Sequence, residues 1–99
     1  MKKVHVLYCT SIESSRVLSV INPEVTDERA IEEIFNKIKE YEYEGYENLT
    51  PEEIKNEGLP SDDEIMKAAR YVWFYHGHYY LNINNEKIIE IATNVDVFN

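Results

Sequence analysis

Apolar and β-branched residues alternate with polar ones from Val4 to Thr10, and a second short apolar run, Arg16 to Ile21, follows the polar break Ser11 to Ser15. That pattern predicts a β-hairpin. Val17, Leu18 and Ile21 also satisfy helical spacing, so a short helix capped by Ser14 or Ser15 and running through Val20 is the alternative. Asn22-Pro23 ends either element. From Thr26 the spacing lengthens to three and four residues: Ile31, Ile34, Phe35, Ile38 and Tyr41 share one helical face. Thr26 is an N-cap type, Asp27 and Glu28 complement the positive helix end, and Gly45 is the natural stop.

Thr50-Pro51-Glu52-Glu53 starts a second, short helix ending by Gly58: the hydroxyl caps, the proline takes the first helical position and Glu53 reaches back. Ser61-Asp62-Asp63-Glu64 repeats this logic, and Ile65, Ala68, Ala69 and Val72 carry a third helix to about Tyr75. His76-Gly77 closes it, with Gly77 expected in the left-handed conformation. The high β propensity of Tyr71 to His76 offers a strand there instead. His78 to Ile83 and Lys87 to Ala92 read as a closing hairpin around Asn84-Asn85-Glu86. The expectation is one α+β domain over residues 1–99: an N-terminal β-hairpin, three central helices and a C-terminal β-hairpin forming an antiparallel sheet. Phe35, Ile38 and Val72 are expected in its core.

Ninety-nine residues with 43% hydrophobic content can bury a core without staples, and 12% aromatics argue against disorder. Cys9 is the only cysteine, which excludes an intrachain disulfide. With no basic-then-apolar leader after Met1 and no apolar run of spanning length, the expected location is the cytoplasm.

Charge adds the most information. The net charge of −9 is unevenly spread: fifteen acidic and four basic residues lie between Glu24 and Glu64, leaving −11 there and +2 elsewhere. Such a chain disfavours direct contact with nucleic acid or anionic membranes and favours a basic partner surface. Within that stretch, Glu40, Tyr41, Glu42, Tyr43, Glu44, Tyr46 and Glu47 combine carboxylates with tyrosines, which give contact area at little entropic cost. They are the expected partner-binding patch. Were the acidic stretch one helix, it would extend about 61 Å with a carboxylate every ~4 Å, near the ~3.4 Å phosphate spacing of a DNA strand. In size and charge the chain resembles small acidic inhibitors of restriction and CRISPR nucleases encoded by phages and mobile elements. The expected function is therefore that of a non-enzymatic acidic interaction protein, monomeric or a small homo-oligomer, that occupies the basic nucleic-acid-binding surface of an enzyme.

Candidate chemistry is sparse. His76 and His78 would face the same way on a strand, but two ligands are too few for zinc, and His5 and Cys9 stand about 13 Å apart on one strand face. No metal or other cofactor is expected. Cys9, followed by Thr10, Ser11, Ser14, Ser15 and Arg16, resembles the phosphate-binding loop of the low-molecular-weight phosphotyrosine phosphatases and of the cysteine-phosphorylated B subunits of sugar phosphotransferase systems. The resemblance implies a thiolate at a helix N-terminus, in a small cysteine-dependent phosphatase or phosphocarrier. Six residues separate Cys9 from Arg16, one more than in the phosphatases, and the loop has no glycine. A small buried thiol at a strand end is the favoured reading.

Overall fold

The computed structural model describes residues 2–10, 15–42, 49–83 and 87–98. Lys2–Thr10 forms strand β1 and Ser15–Ile21 forms β2, paired antiparallel as the alternation predicts. The helical alternative for residues 15–20 is thereby excluded. The register slips between Leu7 and Tyr8, so that Leu18 is the extra residue of a bulge.

Helix α1 spans Asp27–Glu42. The Thr26 hydroxyl accepts from the Arg29 N–H at 3.3 Å, as an N-cap should. Helix α2, Pro51–Asn56, carries the expected capping box: Thr50 Oγ1 accepts from Glu53 N–H and the Glu53 carboxylate accepts from Thr50 N–H. It closes through Leu59 N–H to the Ile54 carbonyl and Gly58 N–H to that of Lys55, which requires Gly58 at φ 68°. Ser61 caps α3, Asp62–Tyr75, which settles residues 71–75 as helix. His76, not Gly77, takes the left-handed position, at φ 48°. Histidine tolerates that conformation better than most residues, and its ring stacks there on His5.

His78–Ile83 (β3) and Lys87–Phe98 (β4) make the second hairpin, β4 running six residues past the expected Ala92. The lengthened strand pairs with the whole of β1, from Lys2 opposite Phe98 to Thr10 opposite Glu90. The four-stranded sheet has the order β2-β1-β4-β3, all antiparallel.

One face of this sheet is covered by helices. Leu7, Cys9, Ile21, Leu81, Ile89 and Ile91 meet Ala30, Ile31, Ile34 and Ile38 of α1 and Ile65, Ala68, Ala69, Val72 and Trp73 of α3. All these are buried, and each large aliphatic contributes about 1.5–3 kcal/mol of transfer free energy. Among the described residues Thr93 is the one fully buried polar side chain, its hydroxyl donating to the Val72 carbonyl at 2.5 Å. Phe35 departs from the expected core. It is only half-buried, with the Lys39 ammonium 5.1 Å above its ring.

Candidate protein-binding surface

The described part of the acidic stretch covers α1, α2 and the start of α3. Glu24, Asp27, Glu28, Glu32, Glu40, Glu52, Glu53, Glu57, Asp62, Asp63 and Glu64 are all exposed on or beside the three helices. Their first-turn members need no other explanation than helix-end electrostatics, but Glu32 and Glu40 stand exposed beyond the first turn of α1. The charge is not a single rod. The molecule is 47 Å in its longest dimension, shorter than the 61 Å of a continuous helix, and the carboxylates are spread over a surface.

Of the expected patch, Glu40, Tyr41 and Glu42 occupy the last turn of α1, whereas Tyr43, Glu44, Tyr46 and Glu47 lie outside the described residues. Glu40 is exposed and pairs with Lys37 at 3.6 Å, and Lys39 pairs with Asp62 at 3.1 Å. Such exposed pairs contribute little stability, but they offset part of the field at this end of α1.

A second feature of the layer is a groove of about 350 Å³ between α1 and α3. Ile31, Met66 and Phe74 supply its apolar walls; Asp27, Glu28 and Glu32 rim one side and Arg70 the other. Phe74 is 52% exposed there, and Tyr71 and Tyr75 stand exposed on α3, ring centroids 5.0 Å apart. Their sequence signal is positional: none falls on the buried stripe Ile65, Ala68, Ala69, Val72.

The histidines divide between the two sides of the sheet. His78 opens β3 on the uncovered face and pairs with Glu90, while His76 turns to the helix side. They do not share a ligand position. His76 instead stacks on His5, ring centroids 5.0 Å apart, and His5 meets the Trp73 ring at 4.5 Å. His5 Nδ1 is buried without a hydrogen-bond partner. Burial, and then the neighbouring His76, hold the His5 imidazole below the ordinary 6.5. Among the described residues no three His, Cys, Asp or Glu side chains converge to hold a metal.

Cys9 is 1% exposed on the helix-covered face. The residues after its loop continue as β2, with Arg16 opposite Cys9 in the ladder. A phosphate-binding loop of the kind it resembles needs a helix at that point. Among the described residues, those that follow are the strand Ser15–Ile21 and not a helix. Among the described residues no helix is long and apolar enough to cross a membrane.

Comparison of the chain with protein-family models, with curated proteins and with solved structures finds no match. The functional reading therefore rests on surface chemistry.

Proposed function

We propose that this protein is a non-enzymatic interaction protein whose acidic helix layer docks on a basic surface of a protein partner. The observation that carries this reading is the co-location, on one layer, of exposed carboxylates with an apolar groove and exposed aromatics. Carboxylates steer a basic surface and raise the association rate, and apolar and aromatic side chains hold it once docked. In its sharper form the partner is a nucleic-acid-binding enzyme, inhibited because the carboxylates occupy its phosphate-binding groove, as in anti-defence proteins of phages. Eleven exposed carboxylates support that form, since such grooves are lined with lysine and arginine.

The test begins with affinity capture from the native host and purification of the captured protein. Its binding should weaken steeply with salt, because exposed charges are screened over about 8 Å at physiological ionic strength. Replacing Glu40, Glu42, Glu44 and Glu47 with glutamine should slow association, Tyr43→Ala and Phe74→Ala should speed dissociation at every salt concentration, and DNA or RNA should compete for the partner. Binding unchanged by all these variants would reduce the acidic layer to a solubilising face.

A further inference from the structure

The sheet has a second face, opposite the helices, and its chemistry is that of a covered surface. The ladder registers place on it, among others, the rows Val20, Val6 and Asn94; Val17, Tyr8, Ala92 and His78; and Thr10, Glu90 and Tyr80, with Val6 and Ala92 already buried within the chain. A sheet with one solvated face should alternate apolar-in with polar-out, and here the outward positions are themselves rich in valine and tyrosine. Val17, Val20 and Tyr80 stand 59%, 57% and 61% exposed. Two pairs of polar groups among the rows are already engaged, Asn94 with the Tyr8 hydroxyl and His78 with Glu90.

We infer that this face is a self-association surface, on which a second copy of the chain packs sheet to sheet. Charge selects the occupant. The exposed carboxylates described above stand on or beside the helices, whereas the four strands together carry Lys2, Lys3, Arg16 and Lys87 against Glu90 and Asp96. Two copies joined through their sheets hold their acidic layers apart on opposite outer sides, while joining through the helices would press like charges together. Area is sufficient: the strands of 9, 7, 6 and 12 residues, at about 3.3 Å per residue and about 4.8 Å apart, present on the order of 540 Å² per copy, so full overlap of two buries about 1,080 Å². A specific interface starts at about that size. The surface is distinct from the groove proposed for the partner, so dimerisation and partner binding fail independently.

The experiment is sedimentation equilibrium of the full chain over about 1–100 μM, where an interface of this size assembles. The expected result is a species of twice 11.7 kDa. The double variant Val17→Lys, Val20→Lys should weaken the dimer at least about tenfold without changing its circular dichroism, because both side chains are exposed in the monomer. Tyr80→Glu, at the opposite edge, is a second break that decides the matter should the lysine variant fold poorly. Phe74→Lys, on the helix layer, should leave the dimer intact. A parent chain that stays monomeric throughout the range overturns the proposal, and so does a dimer that survives both sheet variants or is lost in Phe74→Lys.

Discussion

The indole N–H of Trp73, near the end of α3, donates to Oδ1 of Asp27, the first residue of α1, at 2.9 Å. At the other end of the pair, Lys39 of α1 meets Asp62, the first residue of α3. The two helices are thus antiparallel and tied at both ends, and the groove between them has fixed walls.

The Trp73 bond reaches from a buried ring to an exposed carboxylate, so part of its strength is lost to water. Trp73→Phe keeps most of the apolar contact and should cost about 1–2 kcal/mol, of which the coupling to Asp27 is about 0.5–1 kcal/mol. A double-mutant cycle with Asp27→Ala, read by urea denaturation, measures that coupling. A value of zero would mean that the helix ends are not tied through this bond.

Ile38, 2% exposed on the inner face of α1, should lose about 2–5 kcal/mol of stability on replacement by alanine. Phe35→Ala should cost less than a buried phenylalanine does, because one side of its ring faces Lys39 and solvent. Equal losses at the two positions in chemical denaturation would contradict the observed helix face.

His5 gives stability a pH dependence of known sign. Its folded pKa lies below the unfolded 6.5, so between these values the unfolded chain binds more protons. Its contribution is fully present above pH 6.5 and is lost as pH falls through the window below that value. Denaturation midpoints from pH 7.5 downwards should show a steeper fall for the parent than for His5→Phe. His76→Asn, which keeps a residue tolerant of the left-handed conformation, should narrow the same window by removing the second cause.

Cys9 should resist alkylation in the native protein and react fully in denaturant, since its side chain is 1% exposed. A native rate that tracks denaturant concentration would show that the thiol is reached only through unfolding. Rapid native modification would contradict its placement in the core.

The helices and both hairpins were legible because their determinants are local. Thr26, Thr50 and Ser61 announce helix starts within four residues, and the stripes of α1 and α3 repeat at helical spacing. Long-range relations carry no such signal. Nothing in the periodicity says that β4 continues past Ala92, because its extension is stabilised by pairing with β1 far away in sequence. The same holds for the site: the approach of His5 to His76 and Trp73, and the groove joining Ile31 to Met66 and Phe74, depend on how α1 and α3 cross the sheet. Gly77 was misread for a different reason. Composition favours glycine at a left-handed turn, but the stacked His76 takes that position one residue earlier.

The central ladder of β1 on β4 governs how the chain must fold. The two strands in the middle of the sheet are the first and last of the described elements, so the contacts that close the core join residues as far apart as Lys2 and Phe98. Such loop closure is entropically costly and slow compared with forming the helices. During synthesis β1 can pair with β2, but the sheet gains its central strand only when β4 has left the ribosome. Until then the apolar side chains of the N-terminal hairpin and of α1 have no complete sheet to cover them. A chain interrupted before β4 is therefore expected to be a target for chaperones or proteases rather than a shorter version of the same protein.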